Sequence, residues 1–172
     1  AGARALGKDA GDEPVDSILS EKQQRLLTEP LYSSWSGPPP EEDGMPRSFL
    51  ALANVGFFPK PENPALVPDM LLSADVQVDE DLTKKENRSY FQWRHGKAPD
   101  VVIEIVSNRK GGELDVRFRR YRRAGVSYYV VYDPLHCLGE LPVHCFRLTG
   151  NQYERMNAAR FETLGLTLTE WH

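Results

Sequence analysis

Apolar residues along the chain fall into short runs, and their spacing changes character from one run to the next. Val101-Val102-Ile103-Glu104-Ile105-Val106 is continuous and β-branched apart from Glu104, the pattern of a strand buried on both faces. Beyond it, Leu114, Phe118 and Tyr121 recur at i, i+4 and i+7, which predicts a helix over 113–124 with Gly125 as its stop. A second apolar strand is predicted over 127–132, ended by Asp133-Pro134. Strand, helix and strand over 101–132 imply a parallel pair joined by a right-handed crossover.

The flanking segments complete the pattern. Residues 1–16 are small, polar and charged, and read as a flexible N-terminal arm. Ser20 is a candidate N-cap, with Gln23 completing a capping box, for a helix through Leu26 and Leu27 toward Pro30 that resumes to Trp35. Ser36 to Gly44 is too rich in proline and glycine for regular structure. Strands are predicted over 49–58 and 66–72, with Pro68 near the start of the second, where proline is tolerated. A polar insertion, 79–96, holds a short helix near 86–93. A hairpin over 141–148 and 152–156 turns at Thr149-Gly150-Asn151, and a last strand falls at 164–168. The order predicts one α/β domain over 17–172: a mixed β-sheet flanked by helices, with a β-rich C-terminal segment.

Composition adds boundaries. The 172 residues are 40% hydrophobic and 27% charged, ordinary for a globular chain with a proper core. No apolar stretch reaches membrane-span length, so no membrane partner is expected. Only Cys137 and Cys145 are present, which excludes a disulfide scaffold and suits a reducing cytoplasm. Net charge is −4, but it is unevenly spread. Residues 97–125 carry eight basic groups against four acidic ones, a local excess that suits a polyanion. The two His-Cys pairs, His136-Cys137 and His144-Cys145, fit no common zinc-finger spacing.

Candidate chemistry centres on two acids. A carboxylate within a buried strand is costly unless something pairs with it, and Glu104 stands in such a strand. Asp69, after Pro68, stands at the start of another. Adjacent acids of this kind can share Mg²⁺ (or Mn²⁺), which takes oxygen ligands and is often bound by one or two carboxylates, waters and substrate phosphate. Simpler roles stand beside that one. Asp69 can accept backbone N–H groups in a turn, and Glu104 can pair with Arg109 or Arg117. The run Arg117-Phe118-Arg119-Arg120-Tyr121-Arg122-Arg123 is either a solvated helix face or a phosphate-binding one.

Several motifs then combine: Val67-Pro68-Asp69-Met70, Arg88-Ser89-Tyr90-Phe91-Gln92-Trp93, Glu104-Ile105-Val106-Ser107 and Gly125-Val126-Ser127-Tyr128-Tyr129, followed by Asp133-Pro134. Over roughly residues 48–156 this resembles the Uma-type family of bacterial restriction endonucleases, a branch of the PD-(D/E)xK nucleases with the restriction-endonuclease-like fold. The resemblance implies a metal-dependent endonuclease acting on DNA. It makes Asp69 and Glu104 metal ligands, and Glu113, Arg117 and Lys110 further members of the site. It implies nucleic-acid contacts from Arg109, Arg120 and Arg123, and a homodimer assembled through 141–168. The lysine expected two residues after the glutamate is Val106 here, and the helix position that carries a lysine in this branch is Arg117. Arginine stays protonated and cannot act as a base, although it can orient a phosphate. Lys110 is a candidate substitute. Two other functions remain open: a nuclease fold that binds DNA or protein without cutting, and a metal-dependent hydrolase of another substrate.

Overall fold

The alternation of side chains along β5, Val101–Ile105, sets the two sides of the molecule. Val101 and Ile103 face one way, with Met70, Leu72, Val130 and Cys145. Val102 and the following Val106 face the other, with Leu71, Tyr129, Val131 and Phe146. The computed structural model describes residues 17–77, 79–108 and 112–170. In it, β5 is central to a six-stranded sheet of order β1-β3-β5-β6-β7-β8. The other strands are β1 (Phe49–Ala53), β3 (Met70–Ala74), β6 (Tyr128–Tyr132), β7 (Val143–Thr149) and β8 (Gln152–Met156).

Within this sheet β5 and β6 run parallel and every other neighbouring pair is antiparallel, as the pattern predicts. Helix α3 (Val116–Ala124) connects the parallel pair and packs Phe118 and Tyr121 onto the Val102 face. Helix α1 (Ile18–Ser34) covers the opposite face through Leu27 and Leu31, aided by Phe161 and Leu164 from the C-terminal segment. Helices therefore flank a mixed sheet.

Local boundaries differ from the sequence expectation for identifiable reasons. The N-cap of α1 is Ser17, whose hydroxyl accepts from the Ser20 N–H at 3.1 Å; Ser20 is itself buried in the first turn. Pro30 lies inside α1 without ending it, because Leu27, Leu31 and Trp35 are held against the sheet on both sides of the proline. The strand expected over 49–58 breaks at Asn54, which adopts φ 55°, and resumes as the short β2 (Phe57–Phe58). The strand expected over 66–72 lies instead at Met70–Ala74, with Leu66 making only an isolated bridge to Phe57. Pro68 has no N–H to give a ladder, so pairing starts after it. In the insertion, the helix expected near 86–93 is replaced by β4 (Tyr90–Phe91), paired in parallel with β2, and a single-turn α2 (Gln92–His95). Helix α3 begins three residues later than expected, since 113–115 form a turn in which the Asp115 N–H donates to Gly112 O. The N-terminal arm lies outside the described residues.

Candidate active site

Register brings the two acids together. Met70 lies opposite Ile103 in the antiparallel β3–β5 pair, so one step outward Asp69 comes level with Glu104. Opposed residues of such a pair share a face, and here it is the face covered by α3. A backbone bond reinforces the placement: the Ile105 N–H donates to Asp69 Oδ2 at 2.7 Å. Oδ1 accepts from the Gln24 amide at 3.2 Å, which ties α1 to the same carboxylate. Asp69 thus acts as a backbone acceptor as well as a member of an acidic pair.

Glu104 is the more demanding group, with 1 % of its side chain exposed. Its Oε1 accepts from the Tyr121 hydroxyl at 2.5 Å, and its Oε2 lies 2.5 Å from Nη1 of Arg117. Between the two arginines expected as partners, Arg117 takes the pairing; Arg109 lies outside the described residues. Burial pushes the Glu104 carboxyl above its ordinary value, with Asp69 and Glu113 adding to the rise and Arg117 and Tyr121 opposing it. Asp69 is also raised, by burial, against the bonds from Ile105 and Gln24 and the charge of Arg117. Burial works to lower the Arg117 guanidinium, yet Glu104, Tyr121 and Glu113 hold it above its ordinary value. Burial likewise raises Tyr121, so its hydroxyl remains a donor to Glu104.

Beside these groups lies a cleft of about 360 Å³ between the start of α1 and α3, with Ser17 and Ser20 on one wall and Glu104 and Tyr121 buried behind its lining. Asp69, Ser107, Glu113, Arg117 and Arg120 line the rest. Glu113 is buried, and its carbonyl accepts from the Tyr129 hydroxyl at 2.6 Å. Arg120 donates to Pro64 O at 2.8 Å, which pins the loop ahead of β3. Arg123 is exposed on α3 and is not among the residues that line the cleft. Lys110 lies outside the described residues. A larger cavity, about 600 Å³, sits over the 79–96 insertion beside Leu50, Leu52 and His95, and holds none of these acids. Convergence of charged side chains, rather than size, identifies the site.

The donor set suits a hard cation of a particular kind. Two carboxylates converge, and one is so deeply buried that its charge calls for a counter-ion. Among the described residues, however, no group of three or more His, Cys, Asp or Glu is arranged to hold a metal. Such a pair fits an ion that keeps waters and completes its shell on a substrate phosphate, as Mg²⁺ commonly does, rather than a closed protein cage. The His-Cys pairs offer nothing comparable. His144 and Cys145 are consecutive in β7 and so point to opposite faces, with His144 Nδ1 2.6 Å from Arg155 and Cys145 Sγ 3.6 Å from Met156.

Gln24 is the site residue that the sequence did not mark; Tyr121 stands at the helix position where the family carries a tyrosine, and the structure adds its bond to Glu104. Ser20, Gln24, Leu27 and Leu31 follow one helical face, and its polar end reaches Asp69. That succession of two polar and two apolar positions was the available signal. Among the described residues no helix is long and apolar enough to cross a membrane. No curated protein matches the chain significantly. A family model does: residues 13–171 match Uma2, described as "Putative restriction endonuclease", and the chain therefore belongs to the Uma2 family.

Proposed function

We propose that this protein is a divalent-metal-dependent endonuclease that hydrolyses DNA phosphodiester bonds. The observation that carries the proposal is the pairing in register of Asp69, which lines a cleft with Glu113, Arg117 and Arg120, with Glu104, buried beside that cleft and bonded to Arg117. Asp69 and Glu104 would hold Mg²⁺ or Mn²⁺. When bound, such an ion supplies an activated water and neutralises charge on the scissile phosphate.

The chain's own residues prepare that chemistry. The Ile105 N–H and the Gln24 amide hold Asp69 in one orientation. Tyr121 does the same for Glu104, from a ring buried between α3 and the sheet. Glu113, on the cleft wall, would orient an attacking water. Arg117 supplies planar donors to a phosphate oxygen, and Arg120 extends the positive wall. Arg109, Lys110 and Arg123 remain proposed contributors to the same polyanion surface. Two copies joined through 141–168 would present two such sites, one for each DNA strand; β8 stands at an edge of the sheet, where a partner can dock.

Conversion of supercoiled plasmid in Mg²⁺ or Mn²⁺ tests the proposal. Wild-type protein is expected to nick it, with EDTA, Asp69→Ala and Glu104→Ala each abolishing the activity. Nicking that survives both substitutions would reject these residues as the catalytic pair. A second reading has an observation of its own: the Arg117 guanidinium already neutralises Glu104. Under that reading the chain binds DNA without cutting it, and the assay shows salt-sensitive retention of intact plasmid.

A further inference from the structure

We infer that Phe58, Phe91 and Trp93 form a stacking platform for unpaired bases, so that the DNA taken by the proposed nuclease carries a single-stranded segment beside the phosphate that is cut. This rests on the nuclease-site reading above and adds to it the class of DNA that the site accepts.

The platform follows from strand alternation. β2 and β4 pair in parallel, apart from the main sheet, with Phe57 level with Tyr90 and Phe58 level with Phe91. Successive side chains leave a strand on opposite sides, so one aromatic pair enters the core and the next faces away from it. Phe57 and Tyr90 are each 0 % exposed. Phe58 and Phe91 are only half-buried, and their rings stack with centroids 5.0 Å apart and 28° between planes. Trp93 extends the row at 5.1 Å from Phe91 and is 47 % exposed. Apolar surface gathered in this way marks a place where something binds.

The surrounding charge selects a polyanion. From Arg88 to Lys97 there are three basic residues and no acidic one. Arg88 donates to Leu82 O and Thr83 O, and Arg94 to Glu86 O and Asn87 Oδ1. These neutral acceptors fix the guanidinium groups without cancelling their charge, and Pro64 O holds Arg120 in the same way. Among the described residues none of the three arginines is in an ion pair.

The row also stands on the path of a strand leaving the cleft. Arg117, Arg120 and Ala124 follow one face of α3, from the cleft wall to the end of the helix. At that end the Gln92 amide donates to Ala124 O at 3.1 Å, which docks the segment that carries Phe91 and Trp93. Arg117 and Ala124 are roughly 10 Å apart along the helix axis, the span of about three phosphates of one strand. A duplex keeps its bases stacked on one another and turns its backbone toward the rings. An unpaired base offers a π-face, and aromatic rings beside a basic groove are the combination that holds single strands.

Fluorescence anisotropy of a labelled oligothymidylate, titrated with the full chain in EDTA so that nothing is cut, tests this. Two probes of the same length accompany it: a blunt hairpin duplex, and an abasic strand that keeps the phosphates and lacks the bases. Wild type is expected to bind oligothymidylate about tenfold more tightly than either, the scale of stacking one base on an aromatic ring. Trp93→Ala is expected to erase that preference while leaving hairpin affinity unchanged, and Trp93→Phe to retain most of it. An abasic strand bound as tightly as oligothymidylate overturns the inference, and so does a Trp93→Ala protein that keeps the preference. A chain that binds none of the three probes overturns it as well, and leaves the rings to a protein partner. The wild-type comparison needs no variant, so it decides the matter even if Trp93→Ala fails to fold. Protein that shows the preference but never nicks plasmid in Mg²⁺ overturns the nuclease proposal alone. Protein that nicks plasmid without the preference overturns the platform alone.

Discussion

The two ends of β5 each carry an acid bound to a cation, yet they are built for different ends. Before the strand, Asp100 accepts from the Ala74 N–H at 2.7 Å and pairs with Lys97, three residues away, at 2.6 Å. Lys97 also donates to Ala74 O at 2.9 Å, so the cluster closes on the backbone of β3. Near the other end, Glu104 pairs with Arg117 and Tyr121, both on a separate helix, and faces a second acid, Asp69. The Lys97–Asp100 pair is local in sequence, partly solvated and anchored on the backbone of β3, which is what a structural clasp requires. The Glu104 cluster is buried, joins side chains of separate elements, and puts two carboxylates against one guanidinium. Charge placed at such expense is what marks the Glu104 cluster, and not the Asp100 one, as the candidate functional site.

Substitutions at corresponding positions can break this contrast. Glu104→Gln is expected to lower plasmid nicking by at least about a hundredfold, the scale of losing one transition-state electrostatic contact. Asp100→Ala is expected to leave nicking within a few-fold of wild type while costing about 1–3 kcal/mol of stability, through the uncovered Ala74 N–H. Equal losses of activity at the two ends would erase the distinction.

A difference in pH response follows next in size. Burial holds the Glu104 carboxyl above its ordinary 4.5 in the fold, so between the two values the folded chain holds a proton that the unfolded chain releases. The stability this group contributes is fully present below about 4.5 and is lost as pH rises through the raised value in the fold. At about 1.4 kcal/mol per unit, the effect amounts to a few kcal/mol at most. Urea unfolding in EDTA at pH 5.5 and pH 8.5 should show wild type weakening relative to Glu104→Gln at the higher pH. Parallel behaviour of the two proteins would show that the Glu104 carboxyl titrates near its ordinary value.

Tyr121→Phe removes a buried donor from Glu104 and is expected to cost about 1–3 kcal/mol, read as a lower urea midpoint. Lys97→Met should have the smallest effect, about 0–1 kcal/mol, since Asp100 keeps its backbone donor and the pair is partly solvated. A larger loss at Lys97 than at Tyr121 would reverse the proposed roles of the two ends.

Much of the architecture was legible before any coordinates. The β-branched run at 101–106 cannot be satisfied except in the interior of a sheet, and the helix after it leaves room only for a parallel return. Glu104 stood out because a lone carboxylate breaks that run. Asp69 was legible as a neighbour through Pro68 and the family motif. Less visible were Gln24, whose polar side chain lies on a helix otherwise read for its leucines, and the break at Asn54. Both arise where distant segments meet, and neither has a local period to betray it.

Hydrophobic period and turn chemistry depend on neighbours along the chain, so strands, helices and the pairing of β5 with β6 follow from the residues themselves. Which cation answers the Glu104 charge depends on distances between segments far apart in sequence. Arg117 is thirteen positions on from Glu104 and Gln24 is forty-five before Asp69. Only the packing of α3 and α1 against the ends of two strands brings those groups within bonding distance. Folding alone selects Arg117 as the partner of the buried carboxylate.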